Sequence, residues 1–368
     1  MGVGHVAAAR AIGAALRERN PDVEIDEVDS YEYAALVVSR IVSDGYVRMV
    51  TTVPQMYRYV YHRAERASHV GPLRAWAHQF TASNLRPLLQ RLRPDAVVCT
   101  HAFPCGAMAE YQRRYADAPP VVGVVTDYAL HAFWVHRSID AYAVATPELA
   151  QQLRVLGLPP DRVAATGIPV HPRFAAAVLP QARHDLGLPL DRRVVLVMGG
   201  GLGIGPLARV LKALDDCREP ICAVALVGNN EPLRRRLVRA ADALGYPVRV
   251  VPFVENVETY MRVADLLVTK PGGLTLAEAL VTGVPLVLVH PLPGQEERNA
   301  AVVVAGGAAV RAPRVDGVGE LVSTLLRNPW RLRAMCIAAQ TLAQPHAAER
   351  IADIVMNLAP HPQGVVVA

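Results

Sequence analysis

Lysine is almost missing from this chain. Of its 38 basic residues only Lys212 and Lys270 are lysine, and no block of basic residues forms a nucleic-acid-binding arm, so the formal charge of +5 does not point to DNA or RNA. Cysteine is sparse. The five, at 99, 105, 217, 222 and 336, make no Cys-x-x-Cys pair and no even framework, which excludes a disulfide scaffold and reads as buried thiols in a reducing cytoplasm. No apolar run approaches the roughly 20 residues that span a bilayer. The opening Met1-Gly2-Val3-Gly4-His5 has neither the basic region nor the apolar core of a secretory leader. No Asp-x-Asp pair and no His/Cys/Asp/Glu cluster offers a metal site.

What is present describes two α/β domains. A length of 368 residues, 52% of them hydrophobic and 19% charged, suits two cores of ordinary size. Short apolar runs at 95–100, 121–125, 140–145, 163–166, 193–198, 222–227, 248–253, 266–269 and 284–289 alternate with helical segments, the rhythm of parallel sheets. Residues 23–28 alternate apolar with acidic and read as a half-buried strand. The proline-rich stretch 170–189 reads as a hinge, dividing the chain into 1–172, 173–344 and a final segment 345–368. That segment is expected as a helix crossing back to the first domain, with a frayed tail from Ala359.

The chemistry concentrates in residues 268–299. A buried strand breaks at Lys270-Pro271-Gly272-Gly273, a helix follows to Gly283, and a second strand ends at Pro293-Gly294-Gln295-Glu296. Both turns fall on the edge of an open sheet where such folds bind ligands. Gly272 and Gly273 leave backbone N–H groups bare at a helix start, suited to an anion. Glu278, a turn into that helix, would repel a diphosphate and so should face neutral hydroxyls such as a ribose diol; Gln295 and Glu296 add hydroxyl partners. Upstream, Gly199-Gly200-Gly201-Leu202-Gly203-Ile204-Gly205 is a second glycine turn before a helix. The next strand leads to Gly228-Asn229-Asn230 and not to an acidic residue, which argues against a nicotinamide dinucleotide.

K-P-G-G-L-T-L-A-E-A-L (270–280) followed by P-L-P-G-Q-E-E-R-N-A (291–300) resembles the donor site of the diacylglycerol glycosyltransferases, which include the monogalactosyldiacylglycerol synthases and the processive diacylglycerol glucosyltransferases. More distantly it is similar to the N-acetylglucosaminyltransferase that makes lipid II. Further blocks match: G-x-G-H-x-x-A-A-x-A from Gly2, V-T-D-Y-x-x-H-x-x-W (125–134) and T-G-I-P-V (166–170). The resemblance implies a GT-B fold, two Rossmann-like domains across a cleft, and inverting transfer of galactose or glucose from a UDP-sugar to diacylglycerol with no essential metal or other cofactor. It implies Gly200, Gly201, Gly203 and Lys270 at the diphosphate, Phe253 and Val254 at the uracil, and Gly272, Gly273, Thr275, Glu278, Gln295, Glu296 and Asn299 around the rest of the donor.

By the same resemblance His5 is the general base, a task imidazole suits because its pKa lies near operating pH. Asp127 and His131, at a strand end facing the cleft, are expected to hold the acceptor hydroxyl or to orient His5; a structural Asp–His bond is the other reading. In the family an apolar strand precedes the Gly-x-Gly-His loop. Here the chain starts at the loop, so the first strand is expected to be missing and Met1 to be an internal methionine of a longer frame. Residues 44–80 mix aromatics with arginines, which suits a membrane interface. Tyr57, Arg58 and Tyr61, with Trp134, are the acceptor and membrane candidates, although a tryptophan such as Trp134 is more often core than ligand contact. The expected setting is the cytoplasm, peripherally on an anionic inner membrane face. Two alternatives stay open: transfer to another lipid or hydrophobic acceptor, including N-acetylglucosaminyl transfer, or an inactive membrane-binding relative.

Overall fold

The computed structural model describes residues 3–34, 72–177, 181–200, 203, 205–292 and 294–368. Among the described residues two six-stranded parallel sheets form. The first contains β1 (Glu24–Glu27), β2 (Ala96–Cys99), β3 (Val121–Val124), β4 (Ala141–Val144) and β5 (Val163–Ala165). The second contains β6 (Arg193–Met198), β7 (Ile221–Leu226), β8 (Val248–Val251), β9 (Leu266–Thr269), β10 (Leu286–Leu288) and β11 (Ala309–Arg311). β2, β3, β4, β7 and β9 are buried at every position, as strands covered by helices on both faces must be.

The twelfth strand departs from the sequence reading. Gly364–Val367, expected as a frayed tail, is β12, paired in parallel with β1 on one side and β2 on the other. The first sheet therefore runs β1-β12-β2-β3-β4-β5. β12 thus stands second from the edge of that sheet, between β1 and β2. Val365 and Val367 are fully buried there. β11 was also not anticipated: its three residues carry too little pattern to separate them from the helices that follow.

Helix Val3–Arg19 presents Ala8, Ala11, Ile12, Ala15 and Leu16 inward. Its small side chains let helix Ala347–Leu358 lie close, with Ile351, Ala352 and Val355 joining β12 in one core. The return to the first sheet is reinforced where Arg350 Nη2 donates to the Thr166 carbonyl at 2.6 Å.

In the second sheet helix Gly273–Thr282 stops at Gly283, whose φ of 76° is left-handed and whose N–H caps the Ala279 and Leu280 carbonyls. Glycine is needed for the backbone alone, since the nearest atom to an added Cβ is Gln340 Nε2 at 3.5 Å. Gly283→Ala should therefore cost about 1 kcal/mol without altering the site, read as a lower urea midpoint at unchanged slope.

Candidate active site

The second sheet runs β11-β10-β9-β6-β7-β8, so its strand order reverses between β6 and β9. The crevice at such a reversal collects ligands beyond the carboxyl ends of the strands. Here it is flanked by the glycine loop after β6 and by Lys270–Gly273 after β9. Gly200, at φ 71°, approaches Lys270 so that an added Cβ would stand 3.8 Å from Lys270 Cε. Lys270 Nζ is in turn 2.7 Å from Glu296 Oε1, and Glu296 Oε2 accepts the Leu292 N–H at 2.9 Å. Glu296, expected to bind a donor hydroxyl, is thus 9% exposed and engaged in fixing Lys270 over the glycine loop. Gly272 caps helix Gly273–Thr282 without a side chain, and nothing lies within 4 Å of where its Cβ would be. The first N–H groups of the helix, near half-buried Thr275, have no carbonyl partner within the helix, the feature that suits a helix start to an anion.

Phe253 and Val254 follow β8, two strands away from β6 along the same sheet edge. Phe253 is 46% exposed, a flat apolar surface free for a base. Glu278 is half-buried on helix Gly273–Thr282. Burial pushes its carboxyl up from 4.5 to about 8; Arg173 pulls it down and Glu258 pushes it up. Glu278 is therefore protonated at neutral pH, able to donate to one hydroxyl and accept from another. Glu278→Gln keeps both abilities and should change the donor KM less than threefold, whereas Glu278→Ala should raise it about tenfold, the loss of one or two hydrogen bonds.

Across the cleft stands His5, in the first turn of helix Val3–Arg19. The two helix starts are close: a Cβ on Gly4 would be 3.7 Å from Leu274 Cβ. His5 Nδ1 lies 2.9 Å from the Thr100 carbonyl and 3.1 Å from Thr126 Oγ1. A carbonyl can only accept, so Nδ1 carries the proton and Nε2 presents the lone pair. Burial lowers the imidazole from 6.5 to about 4 against the upward pull of the Thr100 bond, so the ring is neutral at physiological pH.

Thr100, Thr126 and His101 were not singled out from the sequence. His101 caps helix Ala102–Arg114, its Nδ1 accepting the Phe103 N–H at 3.1 Å, and its ring meets His5 edge-on with centroids 4.6 Å apart. The signal was available: Thr100-His101 ends β2 as Thr126-Asp127 ends β3, at one edge of one parallel sheet.

Asp127 does not orient His5. Asn299 Nδ2 donates to Asp127 Oδ1 at 2.8 Å, and Gln295 Nε2 donates to Oδ2. Asn299 is fully buried; it also accepts the Tyr128 N–H through Oδ1 at 2.8 Å and donates to the Pro271 carbonyl at 3.2 Å. Asp127, Gln295 and Asn299, expected as separate catalytic and donor groups, form one clasp between the two sheets' loops. Burial raises the Asp127 carboxyl from 3.8 to about 7, outweighing the two amide donors. Its folded value lies above its unfolded one, so the cost of burying the ionised carboxylate is absent below about 4 and is fully felt above about 7, while the two amide bonds favour the ionised form.

His131 lies beside Phe133 and Trp134, with ring centroids 5.4 and 6.3 Å away. Its charge would be felt by His101, which burial, His5 and His131 together hold well below 6.5. Trp134 is 2% exposed, and its carbonyl accepts the Tyr142 hydroxyl at 2.6 Å. It is a core residue and not part of an exposed lipid-facing surface. Tyr57, Arg58, Tyr61 and Gly201 lie outside the described residues. On helix Pro72–Leu92, Trp76 and Phe80 stack at 5.6 Å and are 46% and 38% exposed. Among the described residues no three or more His, Cys, Asp or Glu side chains are grouped to hold a metal, and no helix is long and apolar enough to cross a membrane.

Comparison with known proteins finds a match for each half of the chain. Residues 5–170 match the model of monogalactosyldiacylglycerol synthase, and residues 194–351 match that of the glycosyltransferase family 28 C-terminal domain. A processive diacylglycerol beta-glucosyltransferase of Bacillus cytotoxicus is 29% identical over 358 residues, 97% of this chain and 91% of that protein. Among solved structures, Acinetobacter baumannii MurG superposes with a TM-score of 0.55 at 19% identity, over 77% of this chain and 79% of that one. The UDP-GlcNAc 2-epimerase of Neisseria meningitidis bound to UDP-GlcNAc superposes with a TM-score of 0.55 at 15% identity, over 76% and 82%. Transferase and epimerase share the architecture, so the fold by itself does not choose between them. The first lobe and the glycine-lined second lobe match the two halves of one family, and the chain belongs to the diacylglycerol glycosyltransferases of glycosyltransferase family 28.

Proposed function

We propose that the chain transfers a hexose, glucose or galactose, from a UDP-sugar to the free hydroxyl of diacylglycerol. The observation that supports this best is a neutral imidazole with Nδ1 committed to Thr100 and Nε2 available, set against the start of helix Gly273–Thr282. In this reading the diphosphate lies between the Gly200 loop and Gly273, with Lys270 alongside; the uracil stacks near Phe253, and Glu278 meets the ribose hydroxyls. His5 Nε2 takes the proton as the acceptor oxygen attacks the anomeric carbon from the face opposite the diphosphate. The new C–O bond forms as the bond to the diphosphate breaks, UDP departs with its electron pair, and the configuration inverts. Helix N–H groups and Lys270 carry the charge that accumulates on the leaving group, so no metal is required.

The acceptor assignment follows the relatives, whose names specify diacylglycerol. A peripheral seat on the inner face of the cell membrane fits the exposed Trp76–Phe80 pair beside the acceptor lobe. The test is an array of UDP-glucose, UDP-galactose and UDP-N-acetylglucosamine against diacylglycerol, a polyprenyl-linked sugar and a soluble hydrophobic alcohol, on anionic liposomes with and without EDTA. Transfer to diacylglycerol with inverted configuration, unaffected by EDTA and weakened by salt, is expected. Transfer to another acceptor alone, a retained anomer, or activity abolished by EDTA overturns the corresponding part. Liposome binding with no turnover of any donor would favour a non-catalytic membrane protein.

A further inference from the structure

The candidate base has a second imidazole beside it. His101 meets the His5 ring edge-on, with centroids 4.6 Å apart and planes at 86°. Two groups address its Nδ1: the Phe103 N–H donates to it at 3.1 Å, and the Tyr31 hydroxyl lies 3.3 Å away. A backbone N–H can only donate, so Nδ1 carries the lone pair and the proton of the neutral ring sits on Nε2. The ring is neutral because burial, and after it His5 and His131, hold it well below 6.5. Among the described residues Nε2 has no hydrogen-bond partner, and His101 is only half-buried.

His5 has the opposite tautomer. Its Nδ1 donates to the Thr100 carbonyl at 2.9 Å, which leaves the lone pair on Nε2. Two neighbouring rings therefore present opposite functions, one acceptor and one donor. An apolar wall adjoins the donor. Tyr31 stacks on Phe103 with centroids 4.9 Å apart and planes 9° from parallel, and the Tyr31 ring is 5.8 Å from that of His101. Tyr31 comes from the turn Ser30–Tyr33 and Phe103 from helix Ala102–Arg114, so the corner is built from two separate elements. A ligand suited to it carries a hydroxyl, a second oxygen that only accepts, and an apolar body. In diacylglycerol the free hydroxyl and an ester stand on adjacent carbons, and an ester carbonyl can only accept.

We propose that His101 binds the acceptor, its Nε2–H donating to the ester carbonyl next to the reacting hydroxyl while His5 takes the hydroxyl proton. The assignment rests on the reading of the chain as a diacylglycerol glycosyltransferase with His5 as base, and it adds the residue that recognises the acceptor. Tyr31 and the Phe103 N–H hold His101 in the tautomer this requires.

The experiment assays the full chain with UDP-glucose and UDP-galactose on liposomes containing either dioleoylglycerol or its dialkyl ether analogue, which keeps the hydroxyl and the tails and lacks the carbonyl. Two substitutions separate the two ends of the ring. His101→Asn keeps an oxygen to accept the Phe103 N–H, as a favoured helix cap, and leaves nothing in place of Nε2–H. His101→Gln reaches the Nε2 position with an amide and loses the cap. The unchanged chain should prefer the ester at least fivefold in kcat/KM. His101→Asn should raise the diacylglycerol KM about tenfold, the loss of one hydrogen bond, and bring the preference below twofold, with donor KM and melting temperature unchanged. His101→Gln should melt lower and keep the preference. Nitrogen-15 spectra of the ring-labelled protein should show His101 protonated on Nε2. A proton on Nδ1 overturns the assignment, as does a preference kept by His101→Asn and lost by His101→Gln, the pattern of a residue that only caps a helix. No transfer to diacylglycerol by the unchanged chain overturns the functional reading and this assignment with it, whereas transfer with the preference intact in His101→Asn overturns the assignment alone.

Discussion

His5→Gln is expected to lower kcat by about a thousandfold, within the 10²–10⁴ range of general-base catalysis, with UDP binding unchanged. Glutamine spans a similar distance and can still donate to the Thr100 carbonyl, but it offers no basic nitrogen on the far side. The donor loops lie on a different sheet and should not sense the change. The pH profile is a sharper check. Because burial holds the imidazole near 4, the base is lost only as pH falls through about 4, and kcat/KM should show no histidine limb between 5 and 8. A limb near 6.5 would mean that the working imidazole is solvated, and hence that His5 is not the base in the arrangement described. Isothermal titration with UDP separates this loss from misfolding.

Gly273→Ala should be nearly as damaging for a wholly different reason. Its Cβ would fall 2.1 Å from the Thr126 carbonyl oxygen and 3.0 Å from Asp127 Oδ1, both on the opposite lobe. Gly273 occupies the first turn of a helix, so alanine suits its local conformation and only the contact across the cleft is violated. Relief requires the lobes to part by an ångström or more, which breaks the Asp127–Asn299 and Tyr128–Asn299 bonds and draws His5 away from the donor. A displacement of that size costs roughly a hundredfold in rate, so kcat/KM should drop by about that factor with the melting temperature little changed. Small-angle scattering should register the wider cleft. Gly272→Ala, with nothing within 4 Å of the new methyl, is the matched control for lobe closure. Equal activity in both variants would rule out the closed arrangement as the reactive one.

Both predictions turn on contacts whose partners are far apart in the chain, and this separates what could be read from residue order. The donor crevice was legible because each part is local: a short buried run, a glycine turn and a helix start lie within one βα unit, and parallel pairing of β6, β9 and β10 brings such turns to one edge. His5 was singled out by the G-x-G-H pattern, although the structure places it in the first turn of a helix. The roles of Asp127, Gln295 and Asn299 were not, since a polar side chain at a strand end looks the same whether it meets a substrate or another lobe. Asp127, expected to hold the acceptor hydroxyl or to orient His5, is bonded to Asn299 only through packing over 172 residues.

By itself the sequence determined the two parallel sheets, the glycine-lined donor edge and the histidine opposite it, because backbone propensity and local turn chemistry act within a few residues. Tertiary structure decided that the segment Gly364–Val367 joins the first sheet, between β1 and β2. Gly-Val-Val-Val carries no period and no turn signal that names its neighbours; its place follows from the hydrogen bonds left open along β1 and β2. Those bonds can be satisfied only once the helix Ala347–Leu358 has carried the segment back across the molecule.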